Sequence, residues 1–257
     1  MVEEEPDMSI LEVEQQGHVR RLRLNRPEKL NALSSELLRM LKAELHSAMD
    51  DEQTTVVVLS GTGRAFSAGA DVKEAGHSDA LSRRHQAPKD LAAARRQVED
   101  WLALWSLPKP IIAQVHGYCL GLANELVGCC DLVVCGSSSR FGLPEMRQVA
   151  LFTTLGFWPD RIGIQRTKEL AFTGRLVEGP EAVELGLAVE CVPDEQLEER
   201  VDTLAAQIAG VDADRLMVVK AAINGWAEAR GVRGAAFRGG EYHAIFHQCS
   251  VPVGSGD

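Results

Sequence analysis

With 257 residues, 45% of them hydrophobic and 25% charged, the chain has the make-up of a globular protein with room for one large domain or two small ones. A net charge of −10 argues against a general nucleic-acid binder, which needs basic surface to meet phosphates. The opening MVEEEPDMS is acidic and lacks the apolar core of a secretory signal, and no apolar run approaches the roughly 18–20 residues of a membrane span, so a cytoplasmic protein is expected.

Alternation in ILEVEQQGHVRRLRLNRP predicts two strands joined at Gln16–Gly17. NALSSELLRMLKAELHSAMDD follows with Leu33, Leu37, Leu41, Leu45 and Met49 at helical spacing and Ser34 or Ser35 available as a cap. TTVVVLSG, KPIIAQVHG and CDLVVCG are short apolar strands with helical sequence between them, which makes α/β with parallel pairing the expected class. GPEAVELGLAVECVP reads as a short helix and a hairpin-like return. DEQLEERVDTLAAQIAG and ADRLMVVKAAINGWAEAR read as amphipathic helices, and VPVGSGD as a frayed tail. The expected organisation is a core over residues 1–195 and a helical C-terminal region over 196–257 of the same unit.

Three motifs fail on inspection. VVVLSGTGRAFSAG has glycines at 61 and 63, but the third position of a dinucleotide fingerprint is Phe66. Ser67 lacks the first glycine of a nucleophile elbow. His243 and His247 lie four apart, yet Ala244 stands where a zincin has glutamate, so no metal site is expected. The six cysteines contain no CxxC pair and read as buried free thiols.

The informative feature is GLANELVGCCD, which sets Glu125 among small and apolar residues. Between Ile111 and Ser139 the only acidic or basic side chains besides histidine are Glu125 and Asp131. Burying an unpaired carboxylate is costly, so its presence asks for a reason. A second carboxylate, Glu145, follows twenty positions later in RFGLPE.

NRPEKLNAL (25–33), GTGRAFSAGADVKE (61–74), KPIIAQVHGYCLG (109–121), NELVGCCDLVV (124–134) and RFGLPE (140–145) stand in one order and spacing. Together they resemble the enoyl-CoA hydratase/isomerase, or crotonase, family from about Ser9 to about Ala229. The resemblance implies a crotonase-like spiral of ββα units with a helical C-terminal trimerisation layer. It implies an acyl-CoA thioester as substrate, a homotrimer or hexamer, no separate cofactor, and no nucleic-acid or membrane partner.

Chemistry on a thioester builds negative charge on the carbonyl oxygen, and two backbone N–H groups aimed at it form an oxyanion hole. By resemblance these are the amides of Ala70 and Leu122, the latter where the family usually has glycine. Substrate contacts are implied at Lys29, Leu30, Ala32, Ala68, Gly69, Asp71, Val72, Lys73, Tyr118, Gly121 and Pro144. Arg26 and the Arg83–Arg84 cluster are further candidates for the CoA phosphates. Glu125 and Glu145 occupy the places of the two hydratase carboxylates, with Glu125 implied to activate water and Glu145 to protonate C2. Two carboxyls in one apolar cleft drive each other's proton affinities apart, which suits paired acid and base work. The stretch after Glu145 departs from the glycine-rich family pattern, with bulk at Phe152, Phe157 and Trp158. The implied reaction is hydration of 2-enoyl-CoA thioesters. Isomerisation, thioester hydrolysis or cleavage on the same fold, and a non-catalytic acyl-CoA binder remain open.

Overall fold

The computed structural model of the chain describes residues 9–71, 73, 87–144 and 152–249. Strands β1 (Leu11–Gln16) and β2 (Val19–Leu24) form the expected hairpin around Gly17, antiparallel and in register from Leu11 opposite Leu24. Helix α1 (Ser35–Asp50) is capped by the Ser34 hydroxyl, which accepts from the Leu37 N–H, and buries Leu37, Leu41, Leu45 and Ala48. This is the stripe its leucine spacing predicts.

Strand β3 (Val56–Gly61) pairs parallel with β2. Helix α2 (Ala87–Trp105) leads into β4 (Ile111–Val115), β5 (Tyr118–Leu120), the short helix α3 (Leu122–Gly128), β6 (Leu132–Gly136) and β7 (Arg140–Gly142). Helices α4 (Trp158–Arg161) and α5 (Ile164–Thr173), strand β8 (Val177–Glu178), helix α6 (Gly179–Leu185) and strand β9 (Glu190–Val192) follow. Helices α7 (Leu197–Ala209), α8 (Ala213–Ala229) and α9 (Val232–Cys249) finish the fold.

The strands make a six-stranded sheet in the order β1-β2-β3-β4-β6-β9 and a three-stranded sheet in the order β5-β7-β8. Both faces of the larger sheet are covered. Val57, Leu59 and Ala113 pack into the main core with α1 and α2, while Val56, Val58, Ile112 and Val134 meet Leu197, Val201 and Ala205 of α7. That double burial explains why these strands read as unbroken apolar runs rather than as alternating ones.

Two expectations need correction. The return after α6 is not hairpin-like: β9 lies parallel to β6, with Val134 opposite Glu190. Helix α8 buries Lys220, while Val218, Val219, Ile223 and Trp226 are exposed. Lys220 reaches inward because Asp131 is there: its ammonium donates to Asp131 Oδ2 at 2.7 Å, and the same oxygen accepts from the Ile111 N–H at 2.8 Å. Burial pushes the Asp131 carboxyl above its usual range, with Lys220 opposing that rise. The tail VPVGSGD lies outside the described residues.

Candidate active site

Three loops meet at the ends of the strands. Leu30 and Asn31, both in the left-handed region, turn the chain after the Pro27–Lys29 helical turn. Asn31 is wholly buried and fastens that turn: its Oδ1 accepts from the Arg26 N–H, and its Nδ2 donates to the Thr62 and Ala65 carbonyls. Residues 67–71 then run beside 30–33, with Ala68 N–H donating to Leu30, Leu33 N–H to Gly69 and Asp71 N–H to Leu33.

Almost every amide in this run is occupied. Ser67 N–H donates to Tyr118, Gly69 N–H to the Ser67 hydroxyl and Lys73 N–H to Asp71. Among the described residues, the Ala70 N–H has no internal partner, and Ala70 is exposed. On the facing segment, Leu120 N–H donates to Ser67 and Gly121 N–H to Gly142, whereas the Leu122 N–H opens α3 with no side-chain cap and, among the described residues, no internal acceptor. The two segments touch closely. Gly69 has φ +96°, and a Cβ there would stand 2.6 Å from the Leu120 oxygen and 3.3 Å from the Leu122 nitrogen, so glycine is required.

Leucine in the usual glycine position causes no strain, because the unusual backbone falls one residue earlier, at Gly121 (φ +55°, ψ −121°). The Leu122 side chain turns into the main core. Asn124, one turn into α3, donates to the Cys119 and Gly142 carbonyls at 2.8 and 2.7 Å and locks the corner from β5 to α3.

Glu125 lies on the same helix and has no exposed surface. Its Oε1 accepts from the Thr154 N–H at 2.5 Å, the Thr154 hydroxyl at 3.0 Å and the Thr153 hydroxyl at 3.1 Å; among the described residues its Oε2 meets only the Thr153 hydroxyl, at 3.4 Å. Burial raises the proton affinity of this carboxyl above its ordinary value, and the Thr154 and Thr153 hydrogen bonds hold the rise back. The Trp101 side chain acts in the same direction, although its buried indole N–H has no hydrogen-bond partner among the described residues.

Of the residues singled out in the sequence, Leu30, Ala32, Ala68, Gly69, Ala70 and Asp71 come together with Tyr118, Gly121 and Leu122 through these contacts, and Pro144 adjoins Gly142. Lys29 and Lys73 are exposed nearby. Glu145, Val72 and Arg83–Arg84 lie outside the described residues. Arg26 is a correction: its guanidinium is buried, donating to Asp71 Oδ2 at 2.8 Å and to the Ala32 carbonyl at 2.5 Å, so it is spent inside the fold. For the same reason the Asp71 carboxylate is structural, held below its ordinary proton affinity by Arg26. Asn31, Asn124, Thr153 and Thr154 are the site residues that sequence reasoning passed over. Only the quoted NRPEKLNAL and NELVG stretches contained a signal for the two asparagines.

Cys119, Cys129, Cys130 and Cys135 are buried free thiols, as expected, and Cys191 is half-buried. Among the described residues no cluster of three metal-ligating side chains occurs, and no helix is long and apolar enough to cross a membrane.

This architecture, with the glutamate-bearing helix α3 opening beside the 67–71 loop, defines the crotonase fold. Solved structures agree. An enoyl-CoA hydratase/isomerase from Xanthobacter autotrophicus Py2 superposes with a TM-score of 0.86 at 28% identity, over 95% of this chain and 89% of that one. A probable enoyl-CoA hydratase from Mycobacterium smegmatis gives 0.85 at 27% identity, over 95% and 97%. Among curated relatives, the 2,3-dehydroadipyl-CoA hydratase of Escherichia coli (strain K12) is 35% identical over 227 residues, 84% of this chain and 82% of the relative. A probable enoyl-CoA hydratase of Rhizobium meliloti (strain 1021) is 33% identical over 248 residues, 91% of this chain and 88% of the relative. Residues 14–255 match the enoyl-CoA hydratase/isomerase family, and the chain belongs to it.

Proposed function

We propose that this protein is a 2-enoyl-CoA hydratase, adding water across the 2,3 double bond to give a 3-hydroxyacyl-CoA. The observation that carries the reading is the pair of unspent amides at Ala70 and Leu122, on touching segments, one helical turn from a sealed carboxylate. Hydroxide-like attack on C3 moves the π electrons toward C1 and leaves an enolate, whose oxygen the two N–H groups stabilise. A helix N-terminus adds favourable partial charge there. Glu125 takes the proton of the attacking water, and a proton delivered to C2, assigned to Glu145, completes the addition. Glu145 holds this role by its place in the sequence. Water and protons are the only co-reactants, so the reaction calls for no cofactor.

Gly69, Gly121, Leu30, Ala32, Ala68, Asp71, Tyr118 and Pro144 shape the walls, with Lys29 and Lys73 as cations for the CoA phosphates; Val72 holds its substrate role by its place in the sequence. The exposed apolar side chains of α8, with Tyr242 and Ile245 of α9, support a homotrimer or hexamer in which these helices pack between subunits. The test is a panel of 2-enoyl-CoA thioesters followed by loss of the conjugated absorbance, with products identified by mass. Activity on none of them, or Glu125→Gln retaining full hydration, overturns the reading.

A further inference from the structure

Among the described residues, Glu125 Oε1 carries three donors while Oε2 carries one long contact. Such asymmetry is more than the minimum for satisfying a buried carboxylate, and the segment that imposes it is itself under constraint. Immediately after Thr154 the backbone runs through Leu155 (φ +52°), Gly156 (φ +60°) and Phe157 (φ +57°), a left-handed run that is costly at the two non-glycine residues. The run is pressed onto α3, since a Cβ on Gly128 would stand 2.7 Å from the Gly156 oxygen. It is also pressed from the other side. A Cβ on Gly239 of α9 would fall 1.9 Å from the Thr153 oxygen, and one on Gly240 would fall 3.0 Å from Val98 of α2.

We propose that Thr153 and Thr154 are positioning residues for Glu125, fixing Oε1 so that Oε2 is presented to the reacting water, and that helix α9 holds this clamp in place through Gly239. The proposal rests on the hydratase reading of Glu125. Its competitor is plain: the threonines satisfy a buried carboxylate and do nothing for the reaction. The two differ in what they say about protonation. The hydroxyls stabilise the ionised form against a burial that favours the neutral one. The Cys129 thiol at the C-terminal cap of α3 lies in the field of Glu125, and burial keeps it neutral. Thr153, Thr154, Trp101 and Gly239, from the other packed elements, carry no charge.

The experiment measures kcat and KM against pH for hydration of a 2-enoyl-CoA thioester that the wild type turns over. Thr153→Val and Thr154→Val keep the side-chain shape and remove one donor each. Withdrawing donors raises the proton affinity of Glu125, so the acid limb of the kcat profile should move to higher pH. On that limb kcat should fall by about tenfold or more, the scale of one hydrogen bond to a charged group, with KM little changed. Thr153→Ser and Thr154→Ser should restore the wild-type limb. Gly239→Ala should displace Thr153 and move the limb the same way. Gly234→Ala, in the same helix with open space around it, should leave it in place. Melting curves establish that each variant is folded; if Gly239→Ala does not fold, the isosteric valine pair decides. A folded double valine variant with the wild-type limb overturns the clamp. Full activity of Glu125→Gln instead overturns the hydratase reading itself, so the two failures are distinguishable.

Discussion

Leu122→Pro isolates one hydrogen-bond donor. Among the described residues the Leu122 amide makes no internal hydrogen bond, and it stands at the first position of α3, where proline is tolerated because its missing N–H would be unpaired in any case. Gly121 before it has ψ −121°, outside the α region that a following proline disfavours. The folding cost is therefore confined to the side chain, which is 8% exposed and loses part of its core contact, about 1–2 kcal/mol. The catalytic cost is larger: losing one donor of an oxyanion hole lowers kcat by about 10²–10³-fold, or roughly 3–4 kcal/mol. Leu122→Ala is the control. It keeps the N–H, removes more apolar contact and should cost about 2–3 kcal/mol of stability while turnover stays within a few-fold. The assay is loss of enoyl-thioester absorbance under saturating substrate, alongside thermal melts of both variants. Wild-type turnover in Leu122→Pro, or equal losses in the two variants, would refute the role of this amide.

Three further outcomes follow from the buried charges. Glu125→Gln should be more stable than the wild type at neutral pH. Because burial raises the folded-state proton affinity of Glu125, its contribution is fully favourable below the ordinary value of 4.5 and is lost as pH rises through the folded value. The stability gap, measured by denaturant unfolding, should thus close in acid and widen toward neutrality; a gap independent of pH would contradict this. Lys220→Met removes the cation paired with the partly exposed Asp131 carboxylate and should destabilise by about 1 kcal/mol, with Asp131→Asn in the same chain recovering part of it. Asp71→Asn strands the Arg26 guanidinium and should lower stability by about 2–3 kcal/mol together with turnover, because Ala70 is carried on the same strap. A rise in KM alone, with unchanged stability, would place Arg26 on the CoA instead.

What was legible in the sequence is what local periodicity and composition encode. The β1–β2 hairpin, α1 with its Ser34 cap, and strands β3, β4 and β6 fall where the apolar spacing predicts. Burial of Glu125 follows from its neighbours alone. The rest depends on partners far along the chain. Arg26 and Asp71 are separated by 45 positions, Lys220 and Asp131 by 89, and Thr154 and Glu125 by 29. An arginine in a loop looks free until the carboxylate it meets is known, which is why Arg26 invites assignment to phosphate. The amphipathic reading of α8 fails for a related reason: the inward position is taken by Lys220 to meet Asp131, and Val218, Val219, Ile223 and Trp226 are exposed. Strand β9 looked like a return because α6 and β9 are short and close in sequence, whereas its hydrogen bonds go to β6.

The distribution of strained backbone ties these misses together. Among the described residues, the non-glycine residues with positive φ are Leu30, Asn31, Leu155 and Phe157. The first two lie where the chain crosses the 67–71 loop, and the others lie where it crosses α3 over Glu125. Such conformations cost about 1–3 kcal/mol each and persist only where surrounding contacts over-determine them. Here the contacts are visible: Asn31 is stapled to Arg26, Thr62 and Ala65, and the 155–157 run is wedged between α3 and the Thr153–Gly239 contact. In this chain the stretch TTLGFW supplies the two hydroxyls that hold Glu125 and carries the backbone cost at Leu155 and Phe157. The strain of the 155–157 run is thus offset where that run meets the carboxylate and the helix that carries it.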